Sequence, residues 1–277
     1  MVQKINQNYI NSIVKRALSE DLKPFGDITT ELISFKEKKI KAKIIAKQNG
    51  VVAGLDFCKA AFKILDIKAN FSKKIKDGTK VKKGKVVATI FAKTKTILTA
   101  ERTALNFLSH ASGIATLTNE FVDKSKKKTK ICCTRKTTPN LRSLEKYAVK
   151  KGGGFNHRYN LSDEIMIKDN HISAESNLNI FVKKAIKTKK IITVEIESIN
   201  QLKQVLGLRF KRILFDNMNI SVLRKCLKLC KNKYETEYSG NVNIGNVRQI
   251  SNTKVNRISI GSLTHSAKNF DFTLVLS

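Results

Sequence analysis

The sequence predicts an α/β protein in two parts: a small α+β N-terminal half, then a half that alternates strand and helix and rolls into an incomplete α/β barrel of six to seven strands. Three observations carry this. From residue 131 onward, six short β-like runs are separated by helical patterns, the rhythm of a parallel sheet. Between residues 40 and 98 the β-like runs are separated by turns at Lys76–Gly78 and Lys82–Gly84, so the first half is organised differently. The alternating half spans roughly 150 residues, too few for a standard eightfold barrel of about 250.

The elements follow in order. Residues 8–22 place Ile10, Ile13, Val14, Ala17, Leu18 and Leu22 on one helical face. GDITTELI (26–33) reads as a loop and a short strand. IKAKIIAK, GVVAG and KVVATIFAK read as strands, and AFKIL near 60–65 as a helix. A long helix beginning near Ala100 bridges to the second half. There the strand-like runs are ICCT (131–134), EIMIK (164–168), IITVEIES (191–198), RILFD (212–216), YETEYS (234–239) and RISIG (257–261). Helical patterns lie between them, such as LRSLEKYAVKK, NLNIFVKKAIK, INQLKQVLG, ISVLRKCLKLC and IGNVRQISN.

Composition excludes several classes. A chain of 277 residues with 41% hydrophobic content can bury a real core. No apolar run nears the roughly 18 residues a membrane helix needs, and the start lacks a signal-peptide apolar region. The five cysteines form no CxxC pair and read as reduced thiols of a cytoplasmic protein. Adjacent Cys132 and Cys133 are expected on opposite faces of a strand. The net charge of +32 would attract phosphate backbones, but lysines are spread through every element, aromatics are 7%, and there is no tryptophan. The longest basic cluster, KSKKKTK at 124–130, reads as a solvated link. Nucleic acid is therefore not the expected partner.

Chemistry concentrates elsewhere. From Arg135 to His171 the chain sets Arg135, Lys136, Arg142, His157, Arg158 and Lys168 among three consecutive glycines and two strand-like runs. Cations spaced by turns suit a small ligand with several negative charges. A barrel keeps its chemistry at the carboxyl ends of its strands, and here those ends carry Arg135, Lys168, Glu195, Asp216, Ser239–Gly240 and Gly261–Ser262. Ser239, Ser262 or Asp216–Asn217 taken singly would serve as helix caps. Glu195 is different, because within the apolar alternation ITVEI it must face a polar partner. Arg135, Arg158 and Lys168 can bind carboxylates or phosphate. Glu195 and Asp216 can hold magnesium or accept from sugar hydroxyls, and Gly240 and Gly261 admit close backbone approach to a phosphate. Polyanion, hydroxyls and Mg²⁺ together indicate a phosphorylated sugar. His157 is an acid–base candidate or a hydrogen-bonding residue, and His171 and His265 lack metal-ligand spacing. No GxGxxG, no GxxxxGK followed by Ser or Thr, and no GxSxG occurs.

The segments GDITT (26–30), AERTALNFL (100–108), SGIAT (112–116), TRKTTP (134–139), LEKYAVKKGGG (144–154), NHR (156–158), IKDNHI (167–172), FDNM (215–218), SGNV (239–242) and ISIGSLTHS (258–266) resemble the quinolinate phosphoribosyltransferase family from about residue 8 to the end. The resemblance implies an N-terminal α/β sandwich domain over 1–113, joined by the C-terminal segment 266–277, and a barrel domain over 114–265. It implies that quinolinate and 5-phosphoribosyl 1-diphosphate give nicotinate mononucleotide, pyrophosphate and CO₂, with Mg²⁺ as cofactor. It implies catalytic roles for Lys168, Glu195 and Asp216, the latter two holding the metal directly or indirectly. Substrate would be bound by Arg102, Arg135, Lys136, Thr137, His157, Arg158, Lys168, Glu195, Asp216, Ser239, Gly240, Asn241, Ile260, Gly261, Ser262 and His265. A homodimer, or a hexamer, with shared active sites is also implied, Arg102 reaching the neighbouring subunit's site. The sequence departs from the family's commonest pattern at Asn140 and Asn160, where glycine is usual, and at Tyr238, where a small residue is common; asparagine tolerates left-handed backbone. A related phosphoribosyltransferase-like protein with another acceptor, and a basic nucleic-acid-binding protein, remain the rival readings.

Overall fold

In the computed structural model, which describes residues 5–126, 129–175 and 177–277, the chain forms two compact units. Unit 1 gathers Met1–Asn119, Thr137–Gly153 and Leu263–Ser277; unit 2 gathers Glu120–Lys136 and Gly154–Ser262.

Unit 1 opens with α1 (Gln7–Leu22), whose N-cap Asn6 accepts from the Asn8 N–H and which buries Ile10, Val14 and Leu18 at a spacing of one turn. Next comes α2 (Ile28–Glu31). The strand expected in GDITTELI is absent, because the Asp27 carboxylate accepts from the Thr30 N–H at 3.0 Å and from its hydroxyl at 2.6 Å. That cap satisfies helix-start donors and turns the chain. β1 (Lys39–Ala46), β2 (Gly50–Val51), α3 (Leu55–Leu65), β3 (Asn70–Lys73), β4 (Lys80–Val81) and β5 (Val86–Lys93) follow. The start of α3 is tied to Asp77, whose carboxylate accepts from the N–H groups of Gly54 at 3.1 Å and Leu55 at 3.2 Å and from the Tyr147 hydroxyl at 2.8 Å. α4 (Thr94–Lys124) begins six residues before the expected Ala100, and the 113/114 boundary falls inside this one helix.

Unit 2 contributes β6 (Lys130–Cys132), after which α5 (Arg142–Lys151) belongs to unit 1. Residues 127–128 of the basic cluster lie outside the described residues; the flanking Thr129 is buried and donates to the Val255 carbonyl at 2.9 Å. Then come β7 (Ile165–Ile167), α6 (Asp169–Glu175), α7 (Leu178–Ile186), β8 (Ile192–Ile196), α8 (Ile199–Val205), β9 (Arg212–Asp216), α9 (Ile220–Cys230), β10 (Glu235–Ser239), α10 (Val247–Ser251) and β11 (Arg257–Ser259). The chain closes with α11 (Ser262–His265) and β12 (Phe272–Leu276). β12 pairs antiparallel with β1 in the sheet β12-β1-β5-β3 of unit 1.

The six expected strands form one parallel sheet in the order β6-β11-β10-β9-β8-β7, with β6 and β7 at its ends. This is the incomplete barrel the βα rhythm implies. On one face Ile192, Val194 and Ile196 of β8 and Ile213 and Phe215 of β9 are buried, as strands covered by helices require. The other face, turned inward by the rolled sheet, carries Glu164, Met166 and Lys168, Thr193 and Glu195, Arg212, Leu214 and Asp216, and Glu235, Glu237 and Ser239, as register and side-chain alternation dictate. Among the described residues no helix is long and apolar enough to cross a membrane. All five cysteines are buried and unbridged. Burial pushes Cys132 up to about 12, so it is an unreactive thiol.

Gly113 of α4 supports a close approach within unit 1: a Cβ there would lie 2.1 Å from the Lys268 carbonyl oxygen. Gly113→Ala gains roughly 1 kcal/mol of helix propensity but drives a methyl into backbone, which costs about 1–3 kcal/mol. Urea unfolding should show a net loss of stability, accompanied by faster hydrogen exchange in β12. An unchanged midpoint would mean that segment 267–270 can retreat at no cost.

Candidate active site

Every strand of the parallel sheet delivers polar groups at its carboxyl end. The pairing of Ile167 with Val194 sets Lys168 beside Glu195, and its ammonium donates to Glu195 Oε2 at 2.8 Å. This is the polar partner that the ITVEI alternation demanded. Glu195 is nearly buried, with 10% of its side chain exposed against 40% for Lys168. Burial lifts the Glu195 pKa above the ordinary carboxylate value; the Lys168 bond opposes this, while Asp216 and Asp169 reinforce it. Asp216 ends β9 opposite Ser239, the last residue of β10. Asn219, not Asp216, caps α9, which leaves the Asp216 carboxylate at the strand end, accepting from Asn217 Nδ2 at 3.2 Å.

The loop after β10 is locked to the loop after β9. Asn217, at φ +51°, donates its N–H to the Ser239 carbonyl at 3.0 Å and accepts from Asn241 Nδ2 at 3.0 Å. Gly240 sits at φ +97°, where a Cβ would lie 2.2 Å from Asn217 Oδ1, so only glycine fits. After β11, Ile260 is buried with its N–H bonded to the Cys132 carbonyl at 2.9 Å. Ile260 therefore anchors the turn from which Gly261 and Ser262, both half-buried, emerge.

The cations come from two loops of unit 2. Arg135 is half-buried and Lys136 exposed, in the loop that follows the end of β6 at Cys132. Arg158 donates to the Glu164 carbonyl at 3.1 Å. Burial and then the charge of Arg135 push its guanidinium below the usual range, while Glu164 and Glu195 oppose that shift. Arg135, Arg158, Lys168 and Glu195 thus share one electrostatic neighbourhood. His157 has both ring nitrogens engaged: Nε2 lies 3.0 Å from Glu237 Oε2, and Nδ1 accepts from the Arg158 N–H at 2.9 Å.

Three expected residues belong to unit 1. Arg102 is exposed on α4, Thr137 accepts from Arg142 Nε at 2.9 Å, and exposed His265 ends α11 with Nδ1 2.6 Å from the Ser266 hydroxyl. Asn140 adopts φ +65°, the left-handed conformation expected where glycine is usual. Asn160 instead caps its own turn, accepting from the Ser162 and Asp163 N–H groups at 2.8 and 3.1 Å. Tyr238 is buried and its hydroxyl donates to the Met218 carbonyl at 2.9 Å, so the larger side chain braces the β9 loop.

Sequence reasoning missed the layer below this site. Arg212 donates to Glu164 at 3.1 Å, Thr193 at 2.9 Å and Glu235 at 3.0 Å, and Arg257 donates to Glu235 at 3.3 Å. Glu237 accepts from Ser259 in a short bond as well as from His157. The available signal was parity: these charges sit two or four positions before the strand-end residues, hence on the same face.

Two family models match most of the chain. Residues 114–275 match the model for the C-terminal domain of quinolinate phosphoribosyl transferase, and residues 27–112 that for its N-terminal domain. The chain belongs to the quinolinate phosphoribosyl transferase family. Relatives of this family include “Quinolinate phosphoribosyltransferase (decarboxylating) 1b” of Nicotiana tabacum, 37% identical over 96% of this chain and 81% of that protein. The crystal structure of NadC from Streptococcus pyogenes superposes with a TM-score of 0.95 at 36% identity, covering 99% of both chains. The nicotinate-nucleotide pyrophosphorylase structure from Francisella tularensis gives a TM-score of 0.95 at 32% identity, covering 100% of this chain and 99% of that one.

Glu195 should show opposed effects on stability and activity. Its folded-state pKa is raised above 4.5, so between that value and its folded value the native state holds a proton that the unfolded chain has released. Stability then falls as pH rises through that window. Glu195→Gln removes the fall: its unfolding free energy at pH 7 should equal or exceed that of the wild type, while turnover drops by roughly 10²-fold. A variant that is both less stable and fully active would reverse this reading.

Proposed function

We infer that this chain transfers the phosphoribosyl group of 5-phosphoribosyl 1-diphosphate to quinolinate with decarboxylation, and that it does so at the carboxyl ends of the unit 2 sheet. The products are nicotinate mononucleotide, pyrophosphate and CO₂. The observation that carries the site is the placement of Glu195 and Asp216 on one inward face beside Lys168, within reach of the charge of Arg158. As pyrophosphate leaves, the ribose carbon gains oxocarbenium character. Two carboxylates held by the sheet stabilise that charge without reorganising and accept from the ribose hydroxyls. Arg135, Arg158 and Lys168 bind the two carboxylates of the pyridine acceptor, with His157 buttressing Arg158. Lys136 and Lys168 neutralise the diphosphate. Ser239–Asn241 and Gly261–Ser262, anchored by Ile260, hold the 5′-phosphate. Once the ring nitrogen carries the ribosyl group, the positive ring takes up the electrons of the breaking C–CO₂ bond and carbon 2 gains a proton. No covalent enzyme nucleophile is needed.

Glu195 and Asp216 are a two-carboxylate set, and among the described residues no group of three or more His, Cys, Asp or Glu could cage a metal. Such a pair fits Mg²⁺, which keeps waters and substrate phosphates in its shell. When bound, Mg²⁺ would neutralise the charge developing on pyrophosphate. The buried, unbridged thiols suit a cytoplasmic setting.

Acceptor choice tests the reading. Quinolinate should release CO₂ and form nicotinate mononucleotide, whereas nicotinate and nicotinamide should yield no product; equal use of nicotinate would transfer the chain to another acceptor. Arg158→Ala should weaken quinolinate binding in calorimetry far more than binding of the diphosphate sugar. Equal losses for both ligands would remove Arg158 from the acceptor pocket.

The active unit is a dimer with shared sites, in which Arg102 completes the neighbour's site. Mixing inactive Arg102→Ala with inactive Lys168→Ala subunits should then restore activity, because each hybrid holds one intact site. Random exchange makes about half the dimers hybrid, so recovery should reach roughly a quarter of wild-type sites. Exchange proven by native mass spectrometry without recovered activity would confine Arg102 to its own subunit.

A further inference from the structure

We propose that Glu237, a buried carboxylate of β10, is a positioning residue for the acceptor site: it fixes the tautomer of His157 and through it the main chain at Arg158. This rests on the function inferred above. Glu237 is fully buried, and the His157 side chain is 5% exposed. Two bonds at His157 settle its proton. Nδ1 accepts from the Arg158 N–H at 2.9 Å, so it carries no hydrogen, and Nε2 therefore donates to Glu237 Oε2 at 3.0 Å. Two other contacts of the ring are longer. Arg212 Nη1 stands 3.3 Å from Nε2, and Glu164 Oε1 stands 3.6 Å from Nδ1, beyond hydrogen-bond length. Each has better partners in the other, with Arg212 donating to Glu164 at 3.1 Å.

Glu237 is itself held in place. Its Oε1 accepts the Ser259 hydroxyl, and Arg212 and Arg257 lie 3.5 and 3.7 Å from Oε2. It stays ionised: against burial, the bonds from His157 and Ser259 and the charge of Arg257 keep its pKa below the usual carboxylate value. An anionic acceptor can take the Nε2–H and nothing else, so Nδ1 is left as the acceptor that Arg158 requires. Arg158 then presents its guanidinium from a fixed main chain, with Nη1 on the Glu164 carbonyl. Reversing the tautomer would set N–H against N–H at Arg158 and displace that side chain. A shift of about 1 Å in a positioning group can cost up to 10²-fold.

The test reads both the tautomer and the kinetics. Nitrogen-15 NMR of the wild-type chain should show the His157 ring hydrogen on Nε2, with Nδ1 in the acceptor form. Glu237→Gln should raise the KM for quinolinate about tenfold or more and leave the KM for the diphosphate sugar within about twofold. In a His157→Asn background, Glu237→Gln should add almost nothing, since residues acting through one another are non-additive. An Nδ1–H tautomer in the wild type, parallel rises in both KM values, or full additivity would each overturn the proposal. If Glu237→Gln fails to fold, the wild-type tautomer still decides. A wild type with the expected tautomer but no quinolinate-dependent CO₂ release would sink the functional reading and leave the geometry of Glu237 standing.

Discussion

The inward face of the parallel sheet is lined with charge, and the rest of unit 2 depends on those charges being paired. Arg212 reaches Glu164 before β7, Thr193 in β8 and Glu235 in β10, and Arg257 of β11 joins it on Glu235. Isolated, any of these groups would carry a heavy desolvation penalty. Paired, they repay that penalty without adding much net stability. What the network adds is register, because one guanidinium touching three strands or their approaches is satisfied in a single alignment. Against the cost of burial, Arg212 and Arg257 hold Glu235 ionised below the usual carboxylate range. With bonds from His157 and Ser259, Glu237 is held likewise. A sheet slipped by one residue would bury these carboxylates on the helix-covered face.

The same face is treated differently one layer higher. There, among the described residues, Glu195 has one cationic partner, Lys168, and its pKa moves up instead of down. The lower layer is compensated within the chain, whereas in the upper layer burial outweighs the bond from Lys168 at Glu195. The two neighbouring layers of one face thus hold their carboxylates in opposite electrostatic states. Perturbed groups facing a strand-end opening are the ones that chemistry uses.

Much of this was legible in the sequence, for definable reasons. The six strands of unit 2 announced themselves through apolar runs punctuated by helical periods, and Glu195 through a charge in an apolar alternation. Asn140 could be read as left-handed because asparagine pays least for that backbone among residues with a Cβ, and it adopts φ +65°. The errors were local or long-range. GDITT looked like a strand by its β-branched residues, but a single capping carboxylate, Asp27, outweighed that propensity. α6, following Lys168 within the motif IKDNHI, was hidden by the motif itself. β12 is a strand chiefly because β1 offers it an edge, which no local pattern reveals. The ion network escaped because Arg212, Glu235, Glu237 and Arg257 each resemble an exposed strand residue until the partner strands are known.

The upper layer is also built in two separately braced blocks. On one side Asn217 ties the β9 and β10 tips together through two hydrogen bonds, with Gly240 packed too tightly against it to carry a side chain and Tyr238 holding the Met218 carbonyl beneath. Asp216 and the Ser239–Asn241 loop are therefore tied into one block. On the other side Arg158 is braced by His157 and the Glu164 carbonyl, and the Lys168 main chain by His171 at 3.1 Å. Glu195 stands between the blocks, bonded to Lys168 and sensing Asp216. Two substrates that must meet with their reacting atoms about 3 Å apart need such preset bodies. Among the described residues the carboxylate between the two blocks, Glu195, is nearly buried and bonded to the single cation Lys168.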